Sequence, residues 1–368
     1  MKSVVSARWW LTIILFTLVT VIAVGGLLWV TLGQSKPSLG ACDPATGQGC
    51  PYAFSMPSVL APGSTEAASI NFLFNMILVL AVIVFVVVEG VLIYTVLKHR
   101  NRPPEMAIQI HGDTKLEVAW TAAPAVILVV IMGFTLRTMS EVRGAAPGGA
   151  LKVKAIGHQF WWEFRYPDQG IVTASELVVP INTTVEVALE SVDVEHGFWA
   201  PELFGKTDAI PGYTTRARFT PTQLGRREYG GQCTQYCGTQ HAQMRFSVIV
   251  LSRADYDAWV AQHTQPAAAV ETLTGAAAAG AQAFYDPQNA CVACHAVDGT
   301  TAAGQIGPNL THVGSRGYLA GGILANTPEN LSKWLHDPQG VKPGNKMVIR
   351  KLDDATVTAL IAYLTSLK

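Results

Sequence analysis

Twelve consecutive residues, Cys233-Thr-Gln-Tyr-Cys237-Gly-Thr-Gln-His241-Ala-Gln-Met244, gather two thiols, an imidazole and a thioether. Soft sulfur ligands beside imidazole select copper, and a His/Cys set with a weak methionine marks electron-transfer copper. A mononuclear site of that kind uses one cysteine; the second, four residues on, supplies enough thiolate to bridge two ions. Two metals sharing two sulfurs can spread one electron over both. Little then rearranges when the electron arrives or leaves, which suits a relay and suits bond-making poorly. Structural zinc sites usually build from closer pairs such as Cys-x2-Cys, and zinc gives Met244 no task. A Cys233–Cys237 disulfide would leave His241 and Met244 idle.

One more imidazole is needed, and His158 and His196 are the candidates between the apolar segments and Cys233. His196 follows the strand-like Thr183–Leu189, and a ligand at a strand end facing the cysteine loop is the arrangement of a copper-binding β-sandwich. His158 sits in Gly157-His-Gln-Phe-Trp-Trp-Glu-Phe164, an aromatic cluster that reads first as sandwich core or lip. His196 is therefore the expected ligand and His158 a structural residue.

A second chemistry lies downstream in Cys291-Val-Ala-Cys294-His295. C-x-x-C-H attaches c-type haem: two thiols fix the vinyl groups and the histidine binds iron from one side. Gly307-Pro-Asn-Leu310 follows at a suitable interval, as in small class I cytochromes c. The sixth ligand should be a methionine, which raises the potential. Met347 is the one methionine after His295; His312 and His336 are possible substitutes that read as surface or loop residues.

These pieces carry a family resemblance. Gly157–Phe164, Asp193–Pro201, Lys206-Thr-Asp-Ala-Ile-Pro-Gly212 and Cys233–Met244 resemble subunit II of haem–copper cytochrome c oxidases, which carries the dinuclear CuA centre. The last ninety or so residues resemble a fused cytochrome c domain. The resemblance implies copper ligands His196, Cys233, Cys237, His241 and Met244, with the backbone carbonyl of Gln235. Many relatives have Glu at that position, where the side chain also reaches magnesium. A carbonyl survives the change to Gln and the anionic magnesium ligand does not, so the case for magnesium weakens. Where many relatives take in electrons at a Trp, this chain has Phe160, followed by Trp161 and Trp162. Glu117, in Leu116-Glu-Val-Ala-Trp120, matches the mouth of the proton channel that subunit II donates to subunit I. The bland alternative for Glu117 is an interfacial carboxylate in contact with water.

The elements that must position these groups begin in a membrane. Of 368 residues, 49% are hydrophobic and 14% charged, with zero formal net charge. About a quarter charged is usual for soluble proteins. Nothing here points to nucleic acid. Trp9–Leu32, Ile70–Leu97 and Val118–Leu136 account for the deficit, and each is long enough to span. Lys2 and Arg8, then Lys98, Arg100, Arg102 and Lys115, put the N-terminus and the 98–115 loop in the cytoplasm. Both redox motifs then face outward. The first segment is a retained helix or a cleaved export signal, its length favouring retention. Outward-facing Cys42 and Cys50 read as a disulfide, although Leu39-Gly-Ala-Cys42 also resembles a bacterial lipobox. Glu89, inside the second segment, should face protein rather than lipid.

The expected architecture is a multi-domain membrane protein. Residues 1–40 form the signal peptide or first helix, and 66–140 a transmembrane hairpin. Residues 150–253 form an all-β cupredoxin-like CuA domain, read from short branched and aromatic runs between turn signals. A helix and linker follow over 254–275, then an all-α cytochrome c domain over 276–368. A tethered donor meets its acceptor at up to millimolar effective concentration. The expected function is electron input to a respiratory terminal oxidase at the bacterial cytoplasmic membrane, from an external donor through haem c and CuA. The external donor is a cytochrome, another small redox protein or a quinol-oxidising complex. Partners are oxidase subunit I, which reduces oxygen and translocates protons, and subunit III. The alternatives are the CuA subunit of a nitric oxide reductase and a membrane-anchored copper-delivery protein.

Overall fold

The computed structural model describes residues 58–100 and 111–368, apart from the side chains of residues 226–229. The expectations for Trp9–Leu32, Cys42 and Cys50 fall outside the described residues. The chain divides into two compact units: residues 69–141 belong to one, and residues 58–68 with 142–368 to the other.

The first unit is built on α1 (Thr65–His99) and α2 (Thr114–Arg143). At 35 and 30 residues both exceed the roughly twenty needed to cross a bilayer. Apolar side chains such as Phe85, Val88, Leu128 and Val129 are exposed along them, as lipid-facing positions would be. Pro124 lies inside α2, which membrane helices tolerate better than soluble ones. Glu89 lies within α1, and Glu117 in the first turn of α2.

The second unit opens with a β-sandwich. Its first sheet runs β3 (Ile171–Ala174), β2 (Trp161–Tyr166), β1 (Leu151–His158), β5 (Val185–Ser191), β8 (Thr215–Phe219). The facing sheet runs β4 (Glu176–Pro180), β10 (Arg245–Leu251), β9 (Gly225–Cys233), β6 (His196–Trp199), β7 (Thr207–Ala209). β1 with β5 and β10 with β4 are parallel, and the other paired strands of the sandwich are antiparallel. In β2 nearly every residue is buried, so it lacks the in–out alternation that a half-buried strand shows.

Aromatic side chains fill the sandwich. Phe198 stacks on Phe246 at 4.6 Å between ring centroids, and Trp162 meets Phe198 edge-on at 5.1 Å. The Tyr166 hydroxyl accepts from the Val178 N–H at 2.8 Å and donates to the Val178 carbonyl at 2.9 Å, tying the two sheets together. Gly231 leaves the space that the Phe246 ring occupies; a Cβ there would lie 2.0 Å from it.

Helix α3 (Arg253–His263) follows, its N-terminus capped by the Ser252 side chain accepting from Asp255 N–H. The C-terminal domain contains α4 (Gly275–Tyr285), the short α5 (Cys291–Cys294), α6 (Pro328–His336), α7 (Pro338–Val341) and α8 (Asp354–Ser366). Gly280 lets α4 lie directly on α8, because a Cβ would fall 1.9 Å from the Ala359 carbonyl oxygen. Phe284, Leu360 and Tyr363 are buried in the core between them. A two-stranded ribbon, β11 (Tyr318–Leu319) with β12 (Leu324–Ala325), precedes α6.

Candidate metal centre

Two rigid strands hold the sulfur-rich loop. β9 ends at Cys233, and β10 begins at Arg245, one residue after Met244. The Cys233 N–H donates to the Met244 carbonyl at 3.0 Å, closing the loop at its base. β6 pairs beside β9 with Phe198 opposite Cys233, which carries His196 to the same end of the sheet. His196 thus opens a strand of its own, the next element after β5.

The donor atoms converge. Sγ of Cys233 lies 3.8 Å from Sγ of Cys237, 3.9 Å from Nδ1 of His196 and 3.2 Å from the Gln235 carbonyl oxygen. Sγ of Cys237 lies 3.7 Å from Nδ1 of His241 and 3.9 Å from Sδ of Met244. One thiolate therefore has a histidine and a carbonyl beside it, and the other a histidine and a thioether. Paired thiolates flanked in this way fit two soft, copper-like ions. The donor atoms of His196, Cys233 and Cys237 fall within 4.8 Å of one another. Both cysteines, Met244 and His196 are buried.

Hydrogen bonds behind these groups aim them. Asp193 sits 2.8 Å from Nε2 of His196 and accepts from the N–H groups of Gln159 and Val194, each at 2.7 Å. That contact leaves Nδ1 of His196 to face Cys233, the usual way a carboxylate fixes the tautomer of a ligating imidazole. Burial opposes the charge on His196, but Asp193 and Cys233 outweigh it and raise its pKa. Burial likewise opposes the Asp193 carboxylate, which the His196 contact and the two backbone N–H groups nevertheless hold below its usual range. The two thiols act on each other: their contact holds Cys233 below the ordinary thiol range and pushes Cys237 above it. Sequence reasoning did not assign Asp193 a role; its position three residues before His196 was the available signal.

His158 lies elsewhere. It stacks on Trp161 at 4.2 Å and stands 3.2 Å from the buried Glu163 carboxylate. Trp162 is in the core with its edge toward His196, at 5.8 Å. Phe160, in the turn between β1 and β2, is buried against the loop at Gly238.

The haem-attachment motif occupies α5 and the residue after it. Nδ1 of His295 is 2.8 Å from the Pro308 carbonyl, which leaves Nε2 to meet an iron. Gly304 and Gly307 let the following loop close over the motif: a Cβ at 307 would lie 2.5 Å from the His295 ring, and one at 304 would lie 2.4 Å from Cys294 backbone. Burial lowers the His295 pKa, favouring the neutral form that binds metal. Met347 is held by its N–H donating to Asn345 at 2.7 Å and by Gln339 donating to its carbonyl at 3.1 Å. Cys291 and Met347 border one apolar core. A cavity of ≈ 360 Å³ opens beside Met347 and His336; His295 is not among its lining residues. These donors fit a c-type haem. His312 lies in a turn, as the loop reading had it, but is not at the surface: it is buried, its ring 4.5 Å from that of His263 and its Nε2 3.2 Å from the His263 carbonyl.

Sandwich and C-terminal domain meet at the same loop. Lys342, which sequence reasoning left unremarked, is buried and donates to three carbonyls: Phe160 at 2.9 Å, Gln243 at 2.9 Å and Ala320 at 2.8 Å. Burial draws its pKa down to about 7, with the neighbouring Cys237 acting the other way.

Comparison with known proteins agrees with this layout. Three family profiles match: "Cytochrome C oxidase subunit II, transmembrane domain" over residues 54–138, "Cytochrome C oxidase subunit II, periplasmic domain" over 170–251, and "Cytochrome c" over 277–368. Cytochrome c oxidase subunit 2 of Alkalihalophilus pseudofirmus is 37% identical over 308 residues, covering 80% of this chain and 86% of its own. The Bacillus subtilis protein of the same name is 34% identical over 288 residues, 73% of this chain and 80% of its own. Among solved structures, the periplasmic domain of subunit II of cytochrome oxidase from Bradyrhizobium japonicum is 29% identical, with a TM-score of 0.30 over 32% of this chain and 96% of that one.

Proposed function

Because the chain belongs to the cytochrome c oxidase subunit II family, we propose that it is the electron-input subunit of a respiratory terminal oxidase, with two redox sites of its own in series. His196, Cys233, Cys237, His241, Met244 and the Gln235 carbonyl would hold a dinuclear copper centre. Cys291, Cys294, His295 and Met347 would hold a covalent haem c. Bound there, the two groups would supply one-electron storage in series between an external donor and oxidase subunit I. The observation that carries this reading is the convergence of two thiols, two imidazoles and a thioether on contacts of 3.7–3.9 Å.

The chain's own groups do the positioning. Strands β6, β9 and β10 fix the donors before any metal arrives, which reduces rearrangement when charge moves. Asp193 orients His196, and Trp162, Phe198 and Phe246 share one buried core with Cys233, Cys237 and Met244, which keeps that side of the site dry. Phe160, the residue at the family's electron-input position, is 5% exposed and its carbonyl accepts from Lys342 of the C-terminal domain. An external protein cannot reach it, which supports input through the chain's own cytochrome domain.

Gln235 offers no anionic ligand for magnesium. Residues 66–140 serve as a membrane hairpin that presents Glu117 to a proton path in subunit I, with subunit III as a further neighbour. The copper domain (150–253) and the cytochrome domain (276–368) face outward from the cytoplasmic membrane of a bacterium, joined by 254–275. The purified complex should consume oxygen, and its spectrum should combine mixed-valence copper with low-spin c-type haem. Consumption of nitric oxide without oxygen would transfer the proposal to a nitric oxide reductase. Absence of the copper signal from a haem-replete complex would refute it.

A further inference from the structure

The ammonium of Lys342 has three N–H donors, and the structure supplies three carbonyl acceptors at hydrogen-bond distance. Two belong to the sandwich, Phe160 in the β1–β2 turn and Gln243 beside Met244; the third, Ala320, belongs to the C-terminal domain. The seam around it is tight. Gly321 has φ +74°, and a Cβ there would lie 2.5 Å from the Phe160 carbonyl oxygen and 2.7 Å from Lys342 Nζ. The Arg245 N–H crosses the seam to the Gly321 carbonyl at 3.0 Å, and Gln240 donates to the Pro343 carbonyl at 2.7 Å. Further along, the Gly317 N–H donates to Glu176 of β4 at 2.8 Å.

We propose that Lys342 is the positioning residue that seats the cytochrome domain on the rim of the copper-ligand loop, so that the two redox sites face each other in one fixed geometry rather than on a loose tether. The inference rests on the electron path proposed above. A lysine is stable in a buried site only when its donors are satisfied, and two of these three acceptors exist only while the domains are docked. Removing the side chain leaves buried carbonyls without their donor, which weakens the docked state itself. The ligand sulfurs and the haem attachment lie outside this contact, so both sites should load normally.

The test uses the full-chain complex carrying Lys342→Met, Lys342→Arg or Gly321→Ala. Amide hydrogen exchange at Arg245 and Gly317 reports the seam, with the β10–β4 amides as internal control. Photoreduction of the haem, followed by the rise of reduced copper, reports transfer. Lys342→Met should speed exchange at the seam and slow transfer at least about tenfold, equivalent to ~1.4 kcal/mol of docking. Copper and haem spectra should stay intact, Lys342→Arg should recover most of the loss, and Gly321→Ala should reproduce the Met variant's behaviour. Unchanged seam exchange in both Lys342→Met and Gly321→Ala would overturn the latch. A wild-type complex whose haem never passes electrons to copper would instead overturn the electron path, while the exchange measurement would still judge the latch.

Discussion

Gly157 lies in β1 against the face of His196, and replacing it with alanine perturbs one ligand while leaving the sulfurs in place. The added Cβ would stand 2.5 Å from His196 Cδ2, 3.0 Å from Cγ and 3.3 Å from Cβ. Carbon atoms rest at about 3.5–4.0 Å, so the imidazole must retreat by ~1 Å. It has nowhere to go: His196 is fully buried, with the Trp162 ring beside it and Asp193 gripping Nε2. Overpacking of this kind costs about 1–3 kcal/mol, and alanine recovers roughly 0.5–1 kcal/mol over glycine in a strand. The sandwich should therefore fold, while a displacement of half a metal–nitrogen bond of about 2.0 Å disrupts coordination. Metal analysis and EPR of the Gly157→Ala complex, normalised to its haem band, should show lost copper or a signal no longer that of wild type. His158→Ala should leave both unchanged, because His158 pairs with Glu163 and Trp161 instead. A Gly157→Ala complex with full copper and an unaltered signal would refute the placement of His196 at the metal.

Tyr166→Phe removes the hydroxyl that serves both the N–H and the carbonyl of buried Val178; the expected loss is ~1–3 kcal/mol in chemical denaturation, with copper content unchanged. His263 is half-buried beside His312 and Arg316, and burial, reinforced by those two neighbours, lowers its pKa from 6.5 to about 4. The unfolded chain then binds the extra proton as pH drops below 6.5 while the folded chain does not, so stability is full above that value and lost toward pH 4. The contribution is of the order of 1–3 kcal/mol after allowance for partial exposure, and His263→Phe should flatten unfolding curves in that window. Met347→Ala should lower the haem potential in redox titration; an unchanged potential would remove Met347 as the sixth ligand.

The twelve-residue loop was legible because its chemistry is local: both cysteines, His241 and Met244 lie on one connection between two strands. The haem motif was legible for the same reason. His196 could be nominated but its setting could not, since β6 is four residues long and exists only by pairing with β9 and β7. The aromatic run of β2 hid its strand because both of its faces are covered. Lys342 was invisible in principle. In Val341-Lys-Pro-Gly344 a lysine reads as a solvated loop residue, and its acceptors stand 182, 99 and 22 positions away in the chain. Only the docking of two domains gives that ammonium its carbonyls.

Copper stoichiometry with EPR on the haem-replete complex tests the central claim most directly. The account predicts two coppers per chain sharing one unpaired electron, with that signal abolished in Cys233→Ser and in Cys237→Ser while the c-type haem persists. One copper per chain with a four-line spectrum, or zinc in its place, would contradict it.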